Sequence, residues 1–415
     1  MSSITIRGQK RLSGEIYLQG SKNSALPLMA ATLLCKGTSI LHNCPVLSDV
    51  DAAGDILRAI GCSVLREGHT VTVNTDNISC TVIPDELMRE MRSSVVFLGP
   101  ILARCLSAVI SYPGGCELGS RPIDLHLSGM RSLGAVINEE HGTLECFAPD
   151  GLKGADITLI LPSVGATENI MLASVTAKGR TVLRNAAREP EISDLADFLN
   201  RAGAKIRGAG ESTIVIDGVS ELYGTEHTVI PDRIAAATYM AAAAITRGDI
   251  TVKNIIPAHV YPVIPAFLEA GCEISVKDRE LSLTAVYGPK RIKTVRTLAY
   301  PGFPTDAQPP VMAMCTVAPG TSVFVENIFD NRFKHAGELM RLGAKIKVEG
   351  KVAVVEGVDR LTGAAVKATD LRGGAALCVA ALAAEGETVL SETKHIMRGY
   401  EDITGTLCSL GADIR

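Results

Sequence analysis

One thiol differs in its surroundings from the rest of the chain's cysteines. Cys116 follows Pro113-Gly-Gly115 and precedes Arg121, so it lies in a Gly- and Pro-rich loop with a cation close by. A thiol near positive charge ionises more readily and can act as a nucleophile or an acid. The other cysteines, at 35, 44, 62, 80, 105, 146, 272, 315, 378 and 408, fall mostly inside apolar runs and read as small core residues. None of the eleven forms a Cys-x-x-Cys pair, so a zinc site is not expected, and an odd set of thiols fits a reducing cytoplasm.

A second candidate is Gly20-Ser-Lys-Asn23, between a strand-like stretch at Glu15–Gln19 and an apolar helix at Ala25–Leu34. A turn feeding a helix offers backbone N–H groups to an anion, and Lys22 adds charge, although the spacing is not that of a P-loop. Arg92, Arg121, Arg332, Arg372 and Arg398 each sit beside a turn-prone residue. Each is either a bidentate binder of phosphate or carboxylate or a solvated surface residue. Tyr300-Pro-Gly-Phe-Pro-Thr-Asp306 ends in an acid that either caps the next helix or serves as a general base.

These residues are carried by a repeat. Ala59-Ile-Gly-Cys-Ser-Val64 recurs as Ser132-Leu-Gly-Ala-Val-Ile137, Arg201-Ala-Gly-Ala-Lys-Ile206, Glu269-Ala-Gly-Cys-Glu-Ile274, Arg341-Leu-Gly-Ala-Lys-Ile346 and Ser409-Leu-Gly-Ala-Asp-Ile414. The glycines at 61, 134, 203, 271, 343 and 411 are spaced by 68 to 73 residues, which makes six units. Each phrase ends a helix-period pattern, where a glycine supplies the left-handed residue that closes a helix. The alternation after it reads as a strand. Gly37, Gly179, Gly248, Gly320 and Gly386 lie 23 to 25 residues earlier, each behind an Ala-rich helix. Each unit therefore reads as strand, helix, strand, helix, strand. In the second unit the matching position is Cys105, 29 residues before Gly134, so about five residues are inserted around Tyr112–Pro122. Insertions in repeats map to loops, often on a binding face.

A chain of 415 residues has room for two or three domains. With aromatics at 4% and no Trp, the cores must be built from Ala, Val, Ile and Leu. A net charge of −4 argues against nucleic acid as the main partner, but a small anionic substrate needs only local cations. The longest apolar runs, such as Ala235–Thr246, are too short to cross a bilayer, and the start lacks a signal-peptide pattern.

Eight ordered motifs carry a resemblance to one family. They are Gly20–Asn23, Pro113–Asp124, Pro162–Asn169, Asn185–Glu191, Val229–Arg233, Pro301–Asp306, Glu326–Arg332 and Arg398–Glu401. Over nearly its whole length the chain resembles the UDP-N-acetylglucosamine 1-carboxyvinyltransferases. The related 5-enolpyruvylshikimate-3-phosphate synthases share the repeat but not the Pro-Gly-Gly-Cys loop.

The resemblance implies an α/β fold: a two-domain inside-out α/β barrel, three repeats to a domain. The implied domains are 22–230, carrying the Cys116 loop, and 1–21 plus 231–415, with the active site in the cleft between them. The implied enzyme transfers the enolpyruvyl group of phosphoenolpyruvate to the 3′-hydroxyl of UDP-N-acetylglucosamine and releases phosphate. It does so by addition and elimination through a tetrahedral ketal, the first committed step of peptidoglycan synthesis and so of cell-wall growth and division. No cofactor, metal, nucleic acid or membrane is implied, and the location is the cytoplasm.

The family positions map residue by residue. Lys22, Asn23, Arg121 and Arg398 match the phosphoenolpyruvate site. Cys116 matches the general acid, and its thiol is also the group that fosfomycin alkylates. Asp306 matches the group beside the sugar 3′-hydroxyl. Arg92, Arg121, Pro122, Ile123, Asp124, Leu125, Ser163, Val164, Gly165, Ile328 and Phe329 match nucleotide-sugar contacts. Asp232, Arg233, Arg332 and Arg372 match further cleft positions. The chain departs from the family pattern at Met397, where many members have Asp, at Leu161, where some have Lys, and at Cys105 and Pro309-Pro310. Two other readings remain: a related transferase acting on another hydroxyl, and a non-enzymatic paralogue.

Overall fold

The computed structural model describes residues 3–114 and 123–415. These fall into two compact units, one of residues 20–114 and 123–230, the other of residues 3–19 and 231–415.

Both units place helices inside and sheets outside. In the second unit the helices Arg233–Ile245, Gln308–Cys315 and Leu371–Ala383 pack on one another, and nearly every residue in them is buried. A helix apolar all round belongs in a core. The composition suits this, because Arg233–Ile245 reads RIAAATYMAAAAI and small side chains let the helices approach closely. In the first unit Lys22–Thr32, Leu98–Cys105 and Val164–Ser174 fill the same role.

The sheets wrap these helices with one face inward. Thr213–Asp217 alternates half-buried and buried residues, the pattern of a sheet with one solvated face. It sits in a four-stranded sheet whose order is Asp156–Thr158, Arg180–Arg184, Thr213–Asp217, Lys205–Arg207. The first pair is parallel and the other two are antiparallel. The unit read from sequence as strand, helix, strand, helix, strand thus ends in two strands rather than one.

Segments distant in sequence complete several sheets. In the first unit Glu226–Thr228 lies parallel to Thr38–His42. In the second, the N-terminal Ser13–Tyr17 lies parallel to Asp249–Lys253, and Ser3–Arg7 lies antiparallel to Glu387–Ser391.

All six repeat glycines have positive φ, from 85° at Gly271 to 113° at Gly203. At Gly61 a side chain is also excluded by space, since a Cβ would lie 2.5 Å from the Asn77 carbonyl oxygen. Gly248 leads into the strand Asp249–Lys253 as read, but the positive-φ residue at this place is Arg247 (φ 57°) in the fourth repeat and Leu106 (φ 60°) in the second, each one residue from the position read from sequence. The inserted stretch is therefore about one residue shorter than the sequence implied.

Candidate active site

In the first unit, Lys22 and Asn23 are not in a turn but are the first two residues of the helix Lys22–Thr32. Lys22 Nζ lies 3.0 Å from Asp49 Oδ2, with both side chains largely buried. The first turn is pinned from behind. The Ser24 hydroxyl donates to Asp194, whose carboxylate also bonds His227 Nε2 at 2.8 Å and accepts the Ile230 N–H at 3.4 Å. The Ser21 N–H donates to the Ile230 carbonyl at 2.7 Å. Ser24, Asp194 and His227 are all buried, so this network fixes where Lys22 and Asn23 point.

Arg92 opens the 3₁₀ turn Arg92–Phe97, and its Nη1 donates to the Pro113 carbonyl at 3.3 Å. Gly114 packs so tightly that a Cβ there would lie 2.5 Å from the Arg89 carbonyl oxygen. The foot of the Cys116 loop is thereby held beside Arg92. Cys116, Arg121 and Pro122 lie outside the described residues.

Ile123 is buried and precedes the helix Asp124–Ser132, which carries Asp124 and Leu125. Ser163 caps Val164–Ser174 by accepting the Ala166 N–H at 3.3 Å. The two helix starts meet at His126 and Gly165, where a Cβ on Gly165 would lie 3.1 Å from the His126 ring. His126 Nδ1 pairs with the Asn169 side-chain nitrogen at 3.0 Å, which assigns the ring proton to Nε2. Burial, with Arg92 adding to it, pushes the imidazole down to about 4, so the ring is neutral near pH 7. Asn169 also donates to the Val95 carbonyl at 2.8 Å and accepts the Gly99 N–H at 2.6 Å. At the residue just before Asn169, burial followed by Glu191 and Glu189 pushes the Glu168 carboxyl well above the usual carboxylate range.

In the second unit the centre is Asp306. It lies in the 3₁₀ turn Thr305–Ala307, ahead of the buried helix Gln308–Cys315. Asp232 and Asp370 hold the matching place in the neighbouring repeats, and both cap their helices. Asp232 accepts the Ile234 and Ala235 N–H groups, and Asp370 those of Arg372 and Gly373. At Asp306 the intervening turn moves the cap to Ala307. The Asp306 oxygens go to two arginines instead, Arg332 Nη2 at 3.0 Å and Arg372 Nε at 3.4 Å. The cap reading of Asp306 is therefore set aside.

The guanidiniums are 1% and 2% exposed and the carboxylate 28%, so the cations are buried and the acid faces outward. Arg332 is tied further, with Nε and Nη2 on the Thr305 carbonyl and Nη1 3.9 Å from Asp370. Burial works against the Arg372 charge, but Tyr400, Asp306 and Asp232 outweigh it and hold the group charged. Glu326 is buried and accepts the N–H groups of Ile328 at 2.8 Å and Phe329 at 3.0 Å, while Thr305 donates its hydroxyl to it. That one carboxylate locks the Ile328–Phe329 turn against the Asp306 turn. The Phe329 ring lies 5.8 Å from the Arg332 guanidinium, and Arg233 sits 5.7 Å from the Tyr300 ring.

Arg398 ends the 3₁₀ turn Thr393–Arg398 and is half-buried. The Gln19 amide donates to the Gly399 carbonyl at 3.1 Å and accepts the Glu401 N–H at 3.0 Å. Gln19, His126, Asn169, Asp194, Glu326 and Tyr400 were not singled out from the sequence. Asn169, Glu326 and Tyr400 lie within the motifs quoted above. His126 directly follows the Asp124-Leu125 pair, and Gln19 directly precedes Gly20. Asp194 carries no local signal. Among the described residues no group of three or more His, Cys, Asp or Glu could hold a metal.

A family model described as EPSP synthase (3-phosphoshikimate 1-carboxyvinyltransferase) matches residues 6–407. The chain is 52% identical to UDP-N-acetylglucosamine 1-carboxyvinyltransferase 2 of Caldanaerobacter subterraneus, covering 100% of this chain and 99% of that one. It is 50% identical to UDP-N-acetylglucosamine 1-carboxyvinyltransferase 1 of Symbiobacterium thermophilum, covering 99% and 94%. Among solved structures it is similar to the enolpyruvyl transferase NikO from Streptomyces tendae, with a TM-score of 0.89 at 26% identity, covering 100% and 98%. It shares its fold with EPSP synthase from Acinetobacter baumannii, at a TM-score of 0.76 and 20% identity over 100% of both chains. With a matching family model and full-length relatives at about half identity, the chain belongs to the EPSP synthase family of enolpyruvyl transferases, among its UDP-N-acetylglucosamine 1-carboxyvinyltransferase members.

Proposed function

We propose that this chain transfers the enolpyruvyl group of phosphoenolpyruvate to the 3′-hydroxyl of UDP-N-acetylglucosamine, with release of phosphate. The observation that carries the reading is the full-length match, at 52% identity, to a relative named for that activity. The side-chain chemistry supports it. Phosphoenolpyruvate bears a carboxylate and a phosphate, which Lys22, Asn23, Arg121 and Arg398 would bind as cations and N–H donors. The Cys116 thiol gives its proton to the methylene carbon as the sugar oxygen attacks C2, and Asp306 takes the hydroxyl proton. The resulting ketal loses phosphate from C2 and a proton from the new methyl group, which restores the enol ether. Two buried guanidiniums behind Asp306 fix the carboxylate at one place and orientation.

The nucleotide sugar would rest on Arg92, Arg121, Pro122, Ile123, Asp124, Leu125, Ser163, Val164, Gly165, Ile328 and Phe329. The starts of the helices Asp124–Ser132 and Val164–Ser174 suit anions by their backbone N–H groups. The working domains are taken as 22–230 and 1–21 plus 231–415. A cytoplasmic location is part of the reading. It is supported by the free cysteines throughout the described residues and by the absence there of a helix long and apolar enough to cross a membrane.

Phosphate release on mixing the protein with both substrates tests the reading, and no release would overturn it. Shikimate 3-phosphate in place of the nucleotide sugar should give none. Fosfomycin should label Cys116 and leave Cys116→Ala unlabelled there. Cys116→Asp should still turn over, because a carboxylic acid can donate the proton, yet resist the drug for want of a thiolate.

A further inference from the structure

The two arginines that hold Asp306 are not held equally. Arg332 makes two bonds to the Thr305 carbonyl, reaches Asp306 at 3.0 Å and lies close to Asp370. Arg372 reaches Asp306 only at 3.4 Å, and its Nη1 is buried with no hydrogen-bond partner. Something else must keep the Arg372 plane in place. The Tyr400 ring lies 5.3 Å from the Arg372 guanidinium and is completely buried. The ring is anchored in turn. Thr238 Oγ1 lies 3.1 Å from the Ile234 carbonyl and 2.7 Å from the Tyr400 hydroxyl. Either oxygen can be the donor in the second bond, and in both arrangements the Tyr400 hydroxyl is tied to the Thr238 side chain. The ring is then the surface that meets the Arg372 cation.

We propose that Tyr400 is a positioning residue that acts through Arg372 to set the orientation of the Asp306 carboxylate. It lies two residues beyond Arg398, at the end of the turn Thr393–Arg398, and Gln19 fixes the backbone on both sides of Tyr400. Movement of that turn and the orientation of Asp306 are thereby linked. The inference rests on the proposed role of Asp306 in accepting a proton, and a measurement made without substrate separates the two.

Tyr400→Leu removes the ring face and the hydroxyl, and Tyr400→Phe removes only the hydroxyl. In the unliganded full chain, Arg372 Nε–H exchange, followed by NMR with labelled arginine, should quicken about tenfold in Tyr400→Leu and much less in Tyr400→Phe. Unchanged exchange in Tyr400→Leu would overturn the proposal whatever the enzyme does. In the phosphate-release assay, kcat per folded molecule should fall about tenfold in Tyr400→Leu, with both KM values unchanged, and Phe should restore most of it. A loss that only follows the folded fraction would make Tyr400 a core residue and nothing more. Absence of release by the wild-type chain would instead sink the function and leave the exchange result standing.

Discussion

Removing the Asp306 side chain should destabilise the second unit as well as stop turnover, and the two effects separate. Arg332 and Arg372 are almost wholly buried and share this one carboxylate. Stripping the partner from a buried ion pair costs about 3–5 kcal/mol, because the remaining charge stays unsolvated. Two features reduce that here: Asp306 is itself 28% exposed, and Arg332 keeps the Thr305 carbonyl and Asp370. About 2–3 kcal/mol is then expected for Asp306→Ala, which for a unit of this size lowers the unfolding temperature by about 4–12 °C. Asp306→Asn keeps an oxygen for Arg332 but turns an N–H₂ group toward Arg372 Nε, so it should fall between wild type and Ala. The decisive variant is Asp306→Ala combined with Arg372→Met. It removes the stranded cation and should unfold above the sum of the single losses, with a coupling of about 1–2 kcal/mol. Calorimetry on the full chain reads wild type, both Asp306 variants, Arg372→Met and the double variant. Phosphate release, measured well below every transition, should be down at least about a hundredfold whenever Asp306 is changed. Strict additivity in the double variant, or an Asp306→Ala chain as stable as wild type, would refute the claim that this carboxylate compensates buried charge.

Other outcomes follow from the same structure. Asp194→Ala leaves Ser24, His227 and the Ile230 N–H without their shared acceptor, so urea unfolding should show a loss of about 3–5 kcal/mol. His126 titrates near 6.5 when unfolded and at about 4 when folded, so between those values only the unfolded chain carries the extra proton. Stability should thus fall as pH drops through that window, by up to about 3 kcal/mol, and His126→Gln should flatten the slope in pH-dependent unfolding. His335, lowered to about 4 chiefly by burial, adds a like slope in the second unit. Gly337 lies in the helix Ala336–Arg341 with open space around a Cβ, so Gly337→Ala should gain about 0.5–1 kcal/mol in the same assay. Gly61→Ala should lose more than that, since φ is 108° there and the Cβ meets Asn77.

What could be read from the sequence, and what could not, divides along physical lines. The six repeat glycines were visible because φ values of 85° to 113° are closed to side chains, so glycine recurs at the spacing of the fold. Leu106 and Arg247 escaped notice because φ near 60° is the ordinary left-handed well, which an L residue can occupy at a modest cost. The last strand of each of the first five repeats was lost for a similar reason. Val136–Glu140 and Thr143–Phe147 are joined by only His141-Gly142, both at positive φ, so the pair reads as one interrupted alternation. The site is a different matter. Candidate residues stood out by type and motif, but several of the contacts that hold them, Arg372 on Asp306, Asp194 on Ser24 and Asn169 on His126, join separate repeats, and no spacing encodes that. Asp306 shows the limit. Asp232, Asp306 and Asp370 hold one place in three successive repeats, and in two of them the acid caps a helix. From the local sequence, a cap and a general base were both open for Asp306. A single 3₁₀ turn shifts that helix start to Ala307, and the carboxylate pairs with Arg332 and Arg372. The second unit thus supplies the acid in all three of its repeats, and a local lengthening of one connection moves one of them from a helix cap onto two buried arginines.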